Sequence, residues 1–466
     1  MPGTHRSARP RRAGRARTRT RRILLWTAGT LALLVLVAAG AGAWLYYRLN
    51  GNITAAEVDD KLGEDRPEDL SPGAKTILVA GSDTREDTDG SYGHTEGMRS
   101  DTLMVVHVAE NREWATVLSL PRDSWVEIPA CQLDDGSSTE PHFGKINESF
   151  ALGGMHGDAG SAAACTIRTL EHNTGLRIDN FVSLDFLGFK DMVDALGGVE
   201  VCPEEPIDDD KAHIQLEAGC QMLDGEQALG YVRVRYSVGD GSDIGRISRQ
   251  QEFMRSLAER AQDRLTSPTS MYDFLDAVTR SLTTDPELAG LQPLYDLASD
   301  LQSVPEENLT FLTVPNYPRE LDVPEDTANV VWQYPHTDLL FDALAHDRFL
   351  SEDELAAAAE ELLAMDPAEI RVRVLNGTDV PGRAAEVADE LRAAGFQVTE
   401  TDNAPAPVPT TVISHPEALA GQARALAARL PGSAVETAAA GDGEGAGGGE
   451  LTLTLGPDYP GLRAPR

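Results

Sequence analysis

The chain has 466 residues and a formal net charge of −35, with 75 acidic against 40 basic side chains. An ordinary polyanion is repelled by such a surface, so a nucleic-acid partner is excluded for everything beyond the first 22 residues, which hold nine arginines and no acid. More than 400 residues follow the apolar segment described next, too many for one ordinary core, so two domains are expected.

Residues 1–22 read as a basic cytoplasmic tail. Residues 23–47 are uncharged and mostly apolar, with Trp26 near one end and Trp44, Tyr46 and Tyr47 near the other. As a helix this run spans ~37 Å, enough for a hydrocarbon core of ~30 Å. The arginine excess keeps the amino terminus inside, and the aromatics suit the two interfaces. A cleaved export signal is the competing reading, because Thr20-Arg21-Arg22 resembles a twin-arginine motif and Ala39-Gly40-Ala41 a cleavage site. An export h-region of about 7–15 residues is shorter than this run, which favours a signal anchor. On either reading residues 50–466 lie outside the cytoplasm, and on the first they stay at the cell membrane.

Residues 48–73 are polar and acidic and read as a stalk. A first domain is expected over 74–348, with strands at 76–80, 103–108, 115–120, 180–184 and 199–202. Helices are expected at 186–196, 246–262, 269–283 and 286–303, followed by a strand at 309–314. This alternation predicts an α/β sandwich. A linker helix at 349–367 leads to a small α/β domain at 368–457, and 458–466 reads as a disordered tail. The second domain shows no carboxylate pair or His/Cys cluster, which suits a binding or structural module.

Cys131, Cys165, Cys202 and Cys220 all lie beyond the apolar run, and no pair has the spacing of a zinc site. An even count in an oxidising compartment favours disulfides. Of three possible pairings, Cys131–Cys165 and Cys202–Cys220 close the short loops on either side of 185–198.

Four motifs carry arginines: GMRSD with Arg99, LPRDS with Arg122, YVRVR with Arg233 and Arg235, and GRISRQ with Arg246 and Arg249. Arginine is a forked, permanently charged clamp for phosphate oxygens. In YVRVR the alternation predicts a strand with both arginines on one face. Arg246, Arg249 and Gln250 share a helix face at i, i+3 and i+4. Asp83 and Asp101 stand at predicted strand ends beside this cluster, where two carboxylates and phosphate oxygens suffice for Mg²⁺. Phe181, Val182, Leu184, Phe186, Phe189, Met192, Val193 and Leu196 are candidates to line an apolar groove for a lipid tail.

The series GSDTR, MRSDTLMVV, LSLPRDSWVEIP, KINESFALGG, DFLGFKDMVDALGGVEV, LDGEQALGYVRVR and GSDIGRISRQQEF, in order over residues 76–260, resembles the LytR–CpsA–Psr family. The four cysteines and the GDGSDIGR wording resemble its actinobacterial branch. VLNGT, AGF and LGPDY resemble the small LytR-type domain often appended to these proteins. The resemblance implies an α/β sandwich with a central mixed sheet, one preceding transmembrane helix and a small carboxy-terminal α/β domain. It also implies a membrane-anchored phosphotransferase. Such an enzyme moves a glycopolymer from a polyprenyl-pyrophosphate carrier to the muramic acid 6-hydroxyl of peptidoglycan through a phosphodiester. The polymer stays open among arabinogalactan, teichoic-type and capsular chains.

By motif, Arg99, Arg122, Arg233, Arg235, Arg246 and Gln250 would bind the pyrophosphate, and spacing adds Arg249. Asp83 and Asp101 would hold Mg²⁺, with Mn²⁺ as a substitute. Arg99, Asp101, Arg122 and Asp123 form the expected catalytic group, Asp101 and Asp123 being the candidate bases. Two other functions use the same residues or none of them: hydrolysis of the polyprenyl pyrophosphate, and a non-catalytic envelope-binding or regulatory role.

Overall fold

A computed structural model describes residues 26, 33, 35–37, 39–82, 100–156, 158–209, 212, 214–234, 243–264, 268–430, 433–438, 449–457, 459 and 461–462. The strands of the larger unit include β1 (Thr54–Ala55), β2 (Lys75–Ser82), β3 (Ser100–Val108), β4 (Ala115–Leu120), β5 (Trp125–Ile128), β6 (His142–Lys145), β7 (Asn180–Asp185), β8 (Leu282–Thr284) and β9 (Leu309–Thr313), beside three further two-stranded ribbons. Seven form one mixed sheet in the order β1-β8-β7-β2-β3-β4-β9, while β5 and β6 pair separately as an antiparallel ribbon. Its helices include α1 (Ile146–Gly153), α2 (Ala159–Thr174), α3 (Phe186–Ala195), α4 (Gly225–Arg233), α5 (Asp243–Arg264), α6 (Pro268–Ser281) and α7 (Leu291–Ser303).

Side-chain alternation on β3 makes this a sandwich. Leu103 and Val105 enter the main core with Phe150 of α1, Ala163 and Ile167 of α2, and Phe181 of β7. Val106 and Val108, of the opposite parity, meet Leu301 and Val304 at the end of α7. A satellite core joins α3, α4 and α5 through Val193, Leu196, Tyr231 and Phe253. The smaller unit has a five-stranded sheet whose Leu451–Leu455 strand buries Leu451, Leu453 and Leu455 against Val387 and Leu391 of the helix Arg383–Ala393. Arg424 of this unit reaches Asp342 of the larger one at 3.3 Å.

Three expectations change. Residues 48–73 are not a stalk. β1 extends the sheet beside β8, Val58 and Leu62 enter the main core, and Arg66 pairs with Glu171 at 2.5 Å. The acidic composition hid a few apolar anchors that suffice to fold this segment onto α2. Residues 231–233 are not a strand but the last turn of α4. Asp224 and Gln227 form a capping box at its start, and Ala228, Leu229 and Tyr231 make a buried helical face. The helix predicted at 286–303 begins only at Leu291. Among the described residues no helix is long and apolar enough to cross a membrane, and 11 of the 25 residues of 23–47 lie outside them. The disulfides are Cys131–Cys165 and Cys202–Cys220, as the loop lengths suggested.

Candidate anion site at the sheet edge

The sheet register brings the carboxyl ends of β2, β4, β7 and β9 to one edge with the amino end of β3. Ligands of α/β sheets gather at such ends. Just beyond β4 the LPRDS turn is pinned by main-chain contacts. The Ser124 amide donates to the Pro121 carbonyl at 3.0 Å, and the Asn147 and Val330 amides donate to the Arg122 and Asp123 carbonyls at 3.3 and 3.1 Å. Trp332 Nε1 donates to the Ser124 hydroxyl at 3.1 Å.

This frame holds Arg122 and Asp123 partly buried at the edge. Arg122 Nε lies 3.6 Å from Asp123 Oδ2, and Lys145 Nζ donates to Asp123 Oδ1 at 2.6 Å. The carboxylate thus joins two cations. Sequence reasoning missed Lys145, although its place in KINESFALGG, as the last residue of β6 just before α1, is the same kind of strand-end position that marked the arginines.

A second group stands at the end of β7. Asp185 caps α3 by accepting from the Gly188 amide at 2.6 Å, and the Arg233 guanidinium stacks 4.9 Å from the centre of the Phe186 ring. Arg249 on α5 donates from Nη2 to the Val234 carbonyl at 2.6 Å, where α4 ends. Burial lowers its guanidinium pKa from the usual value, and its buried Nε has no hydrogen-bond partner among the described residues. Arg249 therefore fixes the chain just before Arg235 and does not sit as a free clamp.

Asp101 occupies a register shift. Ser82 pairs with Ser100 but Gly81 with Thr102, which makes Asp101 the extra residue of a bulge, a device that re-aims side chains beside active sites. Asp101, Arg246 and Gln250 are placed only by backbone, the last two on α5. Asp83, Arg99 and Arg235 lie outside the described residues.

The expected lipid groove needs correction. Phe181 is fully buried in the main core, and Val193 and Leu196 in the satellite core, so none can receive a tail. Their apolar character serves packing between β7, α3 and their neighbours. Val182, Phe186 and Phe189 are half-buried, and Phe189 stacks on Phe253 at 5.5 Å. Leu187, Met254 and Met271 are exposed apolar side chains that were not singled out.

Residues 45–341 match the model of the LytR_cpsA_psr family, and residues 369–459 match LytR_C, described as LytR cell envelope-related transcriptional attenuator. A relative named cell wall biosynthesis protein LcpA, from Corynebacterium glutamicum, is 30% identical over 406 residues, 80% of this chain and 75% of its own. The polyisoprenyl-teichoic acid–peptidoglycan teichoic acid transferase TagT of Bacillus subtilis is 29% identical over 309 residues, 63% of this chain and 88% of its own. A solved LytR-Csp2A-Psr enzyme from Actinomyces oris aligns with 63% of this chain and 96% of its own, at 22% identity and a TM-score of 0.45. With the family model matched over residues 45–341, more than half of the chain, the chain belongs to the LytR–CpsA–Psr family.

Proposed function

We propose that this chain is a phosphotransferase that attaches a glycopolymer from a polyprenyl-pyrophosphate carrier to peptidoglycan, outside the cytoplasmic membrane. The observation that carries the proposal is the Arg122–Asp123–Lys145 cluster, held at the sheet edge by a turn pinned through main-chain hydrogen bonds. The TagT name, which specifies transfer of a polyisoprenyl-linked polymer to peptidoglycan, supports the same reaction.

In this reaction the acceptor hydroxyl oxygen bonds to the phosphorus nearest the glycopolymer, and the P–O bond of the pyrophosphate bridge breaks. Polyprenyl phosphate leaves with the bridging oxygen, and the hydroxyl proton passes to a carboxylate or to water. The donor already has a good leaving group, so the protein's task is charge neutralisation and in-line positioning. Arg122 and Arg233 are the described guanidiniums suited to phosphate oxygens. Asp123 orients Arg122 and Lys145, which leaves Asp101 as the better candidate for the base. The hard oxygen donors of Asp83 and Asp101 fit Mg²⁺, which would neutralise pyrophosphate charge when bound. Residues 23–47 would serve as the anchor. The exposed Trp44 and Tyr47, on the helical stretch that enters the domain at the buried Leu49, support an interfacial position.

The test uses the full chain in detergent micelles with Mg²⁺, a polyprenyl-pyrophosphoryl oligosaccharide and a soluble peptidoglycan fragment. Release of polyprenyl monophosphate should depend on both the metal and the fragment. Release at the same rate without the fragment, with free sugar phosphate as product, would make the chain a hydrolase instead.

A further inference from the structure

The Asp123–Lys145 pair opens onto a feature that pyrophosphate binding does not use. In the β5–β6 ribbon Trp125 stands opposite Lys145, and Glu127 opposite Phe143. Val126, Ile128 and Gly144 turn inward and are buried. By the two-residue period, Trp125, Glu127, Phe143 and Lys145 share the outer face, and Lys145 reaches Asp123 of the preceding turn. The ribbon is fixed to the end of α2, where Asn173 Nδ2 donates to the Glu127 carbonyl at 2.7 Å and its Oδ1 accepts from the Glu127 amide at 3.3 Å.

Two aromatic rings on this face differ. Trp125 carries the Arg319 guanidinium at 4.5 Å from its ring centre, and Arg319 is paired in turn with Asp326. Phe143 is 55% exposed, an uncommon state for a phenylalanine on a rigid strand. Beside it, His172 Nε2 lies 3.3 Å from Glu127 Oε2, and that hydrogen bond holds the Glu127 carboxyl below its usual range. A flat apolar ring next to an ionised carboxylate and an imidazole is complementary to a pyranose. The sugar's C–H face stacks on the ring while its equatorial hydroxyls reach the polar rim. Two residues along a strand are ~6.8 Å, about one sugar unit from Lys145 to Phe143.

The side of the site identifies which saccharide. Phe186, under Arg233, follows β7, and the spatial order β7-β2-β3-β4 puts the ribbon's origin three strand spacings away, ~14 Å. In-line displacement sets the incoming oxygen opposite the leaving one. A lipid phosphate leaving toward Phe186 therefore admits the acceptor from the β4 side. Resting on the transferase proposal, we infer that the outer face of β5–β6 is a subsite for the acceptor glycan. Phe143 is its stacking platform and the Glu127–His172 pair its hydrogen-bonding rim. The sugar bound there is the one adjacent to the unit that reacts.

Steady-state kinetics of the full chain in detergent micelles test this, with peptidoglycan oligomers of two or more disaccharide repeats as acceptor. Phe143→Ala should raise KM for the glycan about tenfold and leave KM for the donor within twofold, and Phe143→Trp should restore the glycan KM. Because the side chain is exposed, the thermal midpoint of the variant serves as the check on folding. A wild type that ligates while Phe143→Ala keeps its glycan KM within twofold overturns the subsite alone. A rise in donor KM instead assigns the platform to the donor saccharide and also overturns it. A wild type that forms no phosphodiester overturns the transferase proposal itself.

Discussion

Asp123 receives a lysine ammonium at 2.6 Å and faces a guanidinium at 3.6 Å, so its work is to hold two cations in place. Asp123→Asn would keep the shape and remove the charge. We expect turnover to fall by about two orders of magnitude, because a slight misplacement of charged groups is costly in such sites. Unaltered kcat in that variant would mean that Lys145 and Arg122 position themselves. The LPRDS and RSD motifs made Arg122, Asp123 and Asp101 legible. Lys145 lies in KINESFALGG, but a lone lysine has none of the paired spacing that distinguishes the arginines. Side-chain contacts such as Arg249 with the Val234 carbonyl depend on where two helices meet, which spacing along one helix does not encode.

Among the elements, β3 carries a buried titratable group outside the site. His107 Nδ1 is 3.0 Å from the Thr76 hydroxyl and Nε2 is 3.1 Å from Asp347 Oδ1, with the Trp114 ring alongside. Burial lowers its pKa despite the Asp347 charge. The unfolded chain therefore holds this proton more readily, so its contribution is complete above about pH 6.5 and declines as pH falls through that value. A melting series from pH 7.5 to 5.5 should show a drop that His107→Gln flattens, and parallel curves would exclude His107 as the cause. On α2, a Cβ at Gly160 would collide with the Glu57 carbonyl oxygen of the segment once read as a stalk. Gly160→Ala should cost about 1–3 kcal/mol in chemical denaturation, and an unchanged midpoint would mean that this segment packs loosely.

Strands were the most legible elements. β2, β4, β7 and β9 are apolar runs of ordinary strand length, bounded by polar residues. α2 was not seen because Gly160–Ile167 is buried all round and rich in small residues, which leaves no amphipathic stripe to read. YVRVR misled for the opposite reason, since two valines between charged residues imitate a strand while the capping box upstream decides for a helix.

At the scale of the whole molecule, the two disulfides close loops with sequence separations of 34 and 18 residues. Loop-closure entropy gives each about 3–4 kcal/mol. Thiol titration of the denatured, unreduced chain should find no free thiol, whereas four would remove the disulfides from the account. The division into two units follows from two separate hydrophobic cores, joined at the surface by contacts such as Arg424 with Asp342. The sequence foretold the two units from length and composition. It did not foretell that the chain after the apolar run folds straight into the first of them, because three or four buried anchors leave little trace in an acidic stretch.

In the proposed reaction the sheet edge around Arg122 transfers a phosphate-linked glycopolymer to peptidoglycan. The most direct measurement is mass spectrometry of the acceptor after incubation of the full chain with Mg²⁺, lipid-pyrophosphate donor and peptidoglycan fragment, beside an Arg122→Ala control. The wild-type reaction should give an acceptor heavier by the glycan and one bridging phosphate, with at least about a hundredfold less in the control. An acceptor of unchanged mass while the donor is consumed, or equal product from Arg122→Ala, would contradict it.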